Sequence, residues 1–500
     1  MKKSAILILM MIGIIVASCE KDPVITEPVT KETPADPPPH PDPAEPVSLN
    51  NENPHYFEFR NQPAILITSG EHYGAVINRD FDYIPYLDEL MAHGFNLTRL
   101  FAGAYVEFAG WYNYDSNQPL SPAAGRFICP WQRSSEPGYI NGGNRFDLTK
   151  WDEEYFTRLK DFVSQAAERG VIVELSFFTS YYNSTYAGSS DDPELLWKYS
   201  PLYKDNNING IGDVPRTEAL SMTNEALQDV QDAYIRKIVT ELKNYDNIIY
   251  EICNEPYIQE LASDQWQAHI AGVIEQTESD FGYRHLITQN ISNGARQVTY
   301  AIPGASVFNF HYSNPRAIAL NYDLDRVIGN NETDGLATNR SLRFEAWDFI
   351  LGGGGLFNNL DMSFTPDSPH GGQVDGERNV LRNELSILKK FIESFNFITM
   401  KPDNSFLSGD APQGYESRIL SDPGKAWALY LRKSDLSDTV KRTVRLDVNL
   451  PAGVYLVRWI NTKTGEMINQ ATIDASDGIT NLRSPEFTTD IALDLRSKKE

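Results

Sequence analysis

Cysteine is scarce: 500 residues hold three, Cys19, Cys129 and Cys253. So few exclude a disulfide framework. No Cys-x-x-Cys or Cys/His cluster with zinc spacing occurs, so no metal site is expected. Cys253 lies inside an apolar run, where a thiol serves as a small core residue. No Gly-rich phosphate loop follows the first apolar strand, which removes the usual mark of a doubly wound nucleotide-binding sheet. The four glycines at 352–355 precede a strand and open no helix, so they make no phosphate cradle. No cofactor is expected. Positive charge is short as well, with 44 Lys and Arg against 68 Asp and Glu, a net charge of −24. Such a chain is a poor partner for nucleic acid or anionic polymers, and a neutral substrate suits it better.

A long hydrophobic run is confined to the N-terminus. Lys2-Lys3 and the apolar residues 5–16 have the charged and hydrophobic regions of a secretory signal. The run ends in Val16-Ala17-Ser18-Cys19, which resembles a bacterial lipobox. The resemblance implies cleavage before Cys19, lipidation of its thiol and a membrane anchor. Glu20-Lys21-Asp22 resembles the tag that sends some lipoproteins to the outer cell surface. An outer-membrane lipoprotein facing the exterior is expected, with a periplasm-facing one as the alternative. Residues 1–18 are then signal, and 19–50, rich in Pro and acids, a stiff tether.

Aromatics are plentiful, 25 Tyr, 24 Phe and 8 Trp, which argues for a folded chain with stacking surfaces. From residue 51 to 400, short apolar strands alternate with amphipathic segments. Strands are expected at 64–68, 95–101, 171–178, 247–256, 286–290, 306–312, 326–330 and 356–361. Helices are expected at 83–93, 151–169, 224–244, 264–275, 341–351 and 377–395. Eight strands with helix-length connections predict an α/β fold, a (β/α)8 TIM barrel. Residues 404–500 change to short strands at 426–432, 443–449, 453–461 and 491–495. A turn at Thr462-Lys463-Thr464-Gly465 supports a small C-terminal β-sandwich.

The run at 247–256 ends in Asn254-Glu255-Pro256. Proline stops the strand there and leaves a carboxylate at its C-terminal end, where barrel enzymes keep their chemistry. Glycoside hydrolysis needs two such carboxyls. Glu251 shares strand parity with Glu255, so it points into the barrel, where it needs a cation or a proton.

Asn254-Glu255-Pro256 closely resembles the acid/base signature of clan A glycoside hydrolases, as in family 5, over about residues 55–395. The resemblance implies a retaining hydrolase of β-linked poly- or oligosaccharide, cellulase- or mannanase-like, working by double displacement. It assigns Glu255 as acid/base and Glu332 as nucleophile. It places Arg99 against the nucleophile, Asn254 on the sugar 2-hydroxyl and His311-Tyr312 on substrate or nucleophile, with His72 a looser substrate contact. Arg99 could instead be the structural partner of Glu251. The tryptophan usual on the eighth strand is missing, replaced by Asn358-Asn359-Leu360-Asp361. Aromatics in the insertions (Trp111, Tyr112, Tyr114, Trp131, Tyr181, Tyr182, Tyr186, Trp197) could wall a sugar cleft or form the loops' own cores. Residues 451–459 resemble sandwiches of related hydrolases that carry a collagen-binding label. Arg458 and Trp459 there offer either a binding patch or simple packing. From a different class, a non-catalytic surface glycan-binding protein on such a barrel is the alternative.

Overall fold

The computed structural model describes residues 45–111, 117–185, 188–256, 261–291, 295–312, 314–335, 337–372 and 378–498. Eight strands form the barrel: β1 (Leu66–Gly70), β2 (Leu97–Phe101), β3 (Ile172–Thr179), β4 (Ile248–Asn254), β5 (Leu286–Ile291), β6 (Ala305–His311), β7 (Val327–Glu332) and β8 (Leu356–Leu360). They are hydrogen-bonded in the order β1-β8-β7-β6-β5-β4-β3-β2, every pair parallel. Between β1 and β2 the ladder is replaced by one side chain. Asn96 Nδ2 donates to the Ile65 carbonyl at 2.9 Å, and its Oδ1 accepts the Ile67 N–H at 3.1 Å. An amide thus supplies the rungs that the backbone leaves open.

The main helices are α1 (Tyr83–Ala92), α2 (Glu153–Glu168), α3 (Glu225–Leu242), α4 (Asp264–Thr277), α5 (Pro315–Asn321), α6 (Asn339–Leu351) and α7 (Arg378–Glu393). Asp82, Asp152, Asn224, Ser263, Asn314 and Thr338 cap the first six, each accepting a backbone N–H. A cap of this kind contributes about 1 kcal/mol. Not expected from the pattern are α5, which is only seven residues long, the five-residue helix Leu195–Tyr199, and a hairpin of Trp131–Pro137 with Asn144–Trp151 after β2.

Alternation along the strands stacks the barrel lumen in layers. The floor is apolar: Leu66, Leu97, Ile172, Ile249, Val307, Val327 and Leu356, with Leu286 beside them, closed from below by Val47 and Phe57. Val47 N–H also bonds the Asp246 carbonyl at 2.8 Å, and Ser48–Leu49 pairs with Phe57–Phe59. Folded chain therefore begins before residue 50, where the tether was expected to end. Two residues further along each strand the lumen turns polar, with Thr68, Arg99, Glu174, Glu251, Thr288, Asn309 and Asn358 all buried.

The C-terminal strands are β9 (Tyr415–Asp422), β10 (Ala426–Lys433), β11 (Arg445–Leu450), β12 (Gly453–Ile460), β13 (Met467–Ala475), β14 (Gly478–Arg483) and β15 (Asp490–Ser497). A six-stranded antiparallel sheet runs Lys401–Pro402, β9, β10, β15, β12, β13, and β11 pairs with β14. Both sheets feed one core containing Trp427, Leu429, Leu446, Val448, Trp459 and Leu493. Trp459 is therefore a core residue and Arg458 bonds Asp494 at 2.5 Å, so the pair forms no binding patch. The sandwich is tied to the barrel by the buried Arg343 of α6, which donates to Asp490 at 2.9 and 3.1 Å and to Glu384 of α7 at 2.9 Å.

Candidate active site

Both expected glutamates reach the C-terminal mouth of the barrel, each by a departure from regular strand geometry. Strict alternation sends Asn331 into the lumen and Glu332 away from it. A register shift between β6 and β7 pairs His311 with Glu332, so both residues face inward. Glu255 sits just past β4 in the left-handed region, at φ +47°. Its backbone N–H bonds Asn290 Oδ1 at 3.2 Å. Tyr73 (φ +53°) and Tyr312 (φ +51°) share this conformation. Three of the seven described non-glycine residues at positive φ thus belong to one site, at a cost of about 1–2 kcal/mol each.

Donors surround Glu332. Tyr312 OH bonds Oε1 at 2.6 Å; Tyr73 OH and Arg99 Nη1 bond Oε2 at 2.9 and 3.2 Å. Three donors and no acceptor suit an ionised carboxylate. Burial, then the charge of Glu332, raises the pKa of both tyrosines, which remain protonated donors. Arg99 also donates through Nη2 to Glu251 and, at 2.7 Å, to Asn254 Oδ1. It therefore serves both readings given to it, contact with Glu332 and partner of Glu251. Burial alone would lower its pKa, but Glu251, Tyr73, Glu174 and Glu332 together raise it.

Glu255 is held differently. Oε2 lies 2.6 Å from Tyr182 OH and Oε1 lies 2.8 Å from His311 Nδ1. The same Tyr182 hydroxyl accepts from Asn254 Nδ2 at 3.1 Å. Asn290 sets the histidine tautomer. Its Oδ1 is committed to the Glu255 N–H, so its Nδ2 faces His311 Nε2 at 2.8 Å and the ring proton sits on Nδ1. Burial opposes a charge on His311, but Glu332 and Glu255 outweigh it and raise the pKa, so the Asn290 donor is what holds Nε2 bare.

One oxygen of Glu255, one of Glu332 and a ring nitrogen of His311 lie within 4.8 Å of one another. This is the one grouping among the described residues with the spacing of metal ligands. Hydrogen bonds from Arg99, Tyr73, Tyr182, Tyr312 and His311 itself occupy these atoms, as befits a pair of acids. His72 packs edge-on against Tyr73, 3.8 Å from Glu107. Burial, then Arg99, lowers its pKa to about 3. Burial raises that of Glu107 to about 8. Both are neutral polar groups beside the pair.

Tyr73, Asn290 and Glu107 were not singled out from sequence. Asn290 was legible in principle, as an inward-parity amide ending an apolar strand. Tyr73 carries no local signal. The aromatic walls largely dissolve into core: Trp131, Trp197, Tyr181 and Trp111 are buried. Tyr182 is the described insertion aromatic that meets the acid pair. Tyr112, Tyr114, Tyr186 and Cys19 lie outside the described residues.

The cellulase (glycosyl hydrolase family 5) family model matches residues 85–302. That span holds β2–β5, Arg99, Asn254 and Glu255 but ends before His311 and Glu332, which are reached through the geometry above. No curated protein sequence matches the chain. A family 5 glycoside hydrolase structure from Bacteroides vulgatus ATCC 8482 is 13% identical, with a TM-score of 0.61, covering 91% of this chain and 94% of that one. A second structure, named glycoside hydrolase, is 14% identical at a TM-score of 0.60, with 91% and 98% covered. At such identities the likeness carries the fold. The family match thus falls on the first half of the barrel and its Asn254-Glu255 strand end, and the protein is a glycosidase of the retaining kind.

Proposed function

We propose that the protein cleaves β-linked poly- or oligosaccharides by double displacement, with Glu332 as nucleophile and Glu255 as acid/base. The observation that carries this reading is the spacing of the two carboxyls together with their unlike surroundings. An oxygen of each within 4.8 Å suits the separation of about 5–5.5 Å in retaining enzymes and leaves too little room for an inverting water. Glu332, fixed by Arg99, Tyr73 and Tyr312, attacks the anomeric carbon. Glu255 protonates the leaving oxygen and later takes a proton from water, and His311 and Tyr182 hold its carboxyl between the two steps. Asn254, next to Glu255 in sequence and joined to Arg99 and Tyr182, serves the sugar hydroxyl beside the scissile bond. A net charge of −24 favours a neutral glycan.

An aryl β-glycoside with a good leaving group separates the roles. Glu332→Ala should lose about 10⁴-fold or more in turnover with no burst. Glu255→Ala should still release one equivalent of phenol rapidly and then stall, because only the second step lacks its base. Wild-type turnover in Glu332→Ala sinks the assignment.

We further propose that lipidated Cys19 anchors the enzyme at the outer cell surface, on a tether rich in Pro and acids, with the sandwich as packing partner of the barrel. Cys19→Ala should leave enzyme that no longer incorporates labelled fatty acid. Equal labelling of the variant contradicts the anchor.

A further inference from the structure

Beneath the acid pair, the polar layer of the lumen gathers three carboxyls on one guanidinium. Arg99 gives Nη1 to Glu332 and Nη2 to Glu251, and its Nε lies 3.9 Å from Glu174 Oε2 with no hydrogen-bond partner among the described residues. Glu174 and Glu251 are fully buried. Asn331 Nδ2 bridges them, at 2.9 Å to Glu174 and 2.8 Å to Glu251. Three ionised carboxylates on a single cation would leave uncompensated charge in a dry interior, which costs several kcal/mol per ion. At least one of the three must hold a proton.

The contacts say which. Glu332 and Glu251 each receive a guanidinium N–H. Glu174 faces two neutral amides, and its Oε1 lies 2.5 Å from the Asn309 amide. That separation is short for N–H···O and ordinary for O–H···O. It fits a protonated Glu174 donating to Asn309 Oδ1, with the amide turned over from its assigned orientation. In either orientation the other end of the amide lies over Gly329, where a Cβ would come within 2.0 Å of it. The short contact and the charge count therefore decide the assignment.

We propose that Glu174 and Glu251 are positioning residues that act on Glu332 through Arg99, one as a neutral acid and one as a carboxylate that takes up half of the guanidinium. The proposal rests on Glu332 being the nucleophile. The titratable groups around Arg99 are Glu174 on β3, Glu251 and Cys253 on β4, His311 on β6, Glu332 on β7, and His72 and Tyr73 beyond β1. Burial, then the charge of Glu251, raises the Glu174 pKa to about 7, in keeping with the contacts.

With the carboxylate of Glu251 in place, Arg99 divides its field between two anions. Glu251→Gln leaves the whole field on Glu332, so the nucleophile should ionise at lower pH. The acid limb of kcat/KM should move down by about one pH unit, a tenfold change in the acid constant. Glu174→Gln exchanges one neutral group for another and should leave that limb where it is. Infrared difference spectra of wild type against Glu174→Gln at pH 6 should show the loss of a protonated-carboxyl carbonyl band. They test the charge assignment even if Glu251→Gln does not fold. An unmoved acid limb in folded Glu251→Gln, or loss of a carboxylate band in Glu174→Gln, overturns the proposal. The infrared result does not depend on whether Glu332→Ala is inactive, so failure of the nucleophile reading remains distinguishable from failure of the charge assignment.

Discussion

The floor and the middle of one barrel lumen, two residues apart along the same strands, are built on opposite principles. In the floor, apolar side chains meet under Val47 and Phe57, and any of them could be exchanged for another of similar volume. In the middle layer, Arg99, Glu174, Glu251, Asn309 and, two residues past Gly329, Asn331 each exist in relation to the others. The first layer stabilises the fold by excluding water. The second works against it unless every charge is answered. Stability is thus stored below, where the chain closes, and reactivity above, where charge is gathered under the acids.

The largest break in that comparison is Arg99→Met. It removes the guanidinium shared by Glu174, Glu251 and Glu332 and, with it, a donor to Glu332. Turnover should fall by about 10²–10³-fold, the usual loss for a preorganised donor. Stability at neutral pH should fall by about 3–5 kcal/mol, because carboxylates are left buried without a partner. Without the guanidinium, whose charge lowers it, the folded-state pKa of Glu174 rises further. Raised carboxyls contribute stability at low pH and lose it as pH climbs through the folded value, which for Glu174 is already about 7. The deficit against wild type should therefore be small at pH 5 and wide at pH 8, measured by denaturant midpoints. Equal deficits at both pH values would mean that Arg99 is held for its shape alone.

Much of this layering is legible in the sequence, because a parallel barrel strand states its parity. Ile249, Glu251, Cys253 and Glu255 alternate inward from an unmistakable apolar run, and Arg99 sits at the matching position in the second strand. All eight strands are recoverable from apolar length and stop signals. Two kinds of feature are not. Glu332 enters the lumen through a register shift, which alternation cannot express, so its placement came from the resemblance to clan A hydrolases. Tyr73, Glu255 and Tyr312 adopt left-handed backbone that their residue types do not favour, imposed by the surrounding contacts. Strand β13 is exposed along most of its length, so no buried face marks it. The insertion aromatics misled for a related reason. Composition shows that rings are present, but the choice between a cleft wall and a loop core depends on tertiary packing.

The smaller test concerns the floor. Leu66 is the cleanest probe, because β1 places Thr68, and no charge, in the layer above it. Leu66→Ala should cost about 2–5 kcal/mol of stability by losing buried methyl groups and leaving a cavity. Turnover per folded molecule and the pH profile should stay as in wild type, because the charges around Arg99 are untouched. A urea midpoint that falls while kcat/KM and its acid limb stand still would show the floor to be replaceable packing. If kcat/KM falls along with the midpoint, strand position in the floor sets the aim of the groups above, and the two layers act as one device.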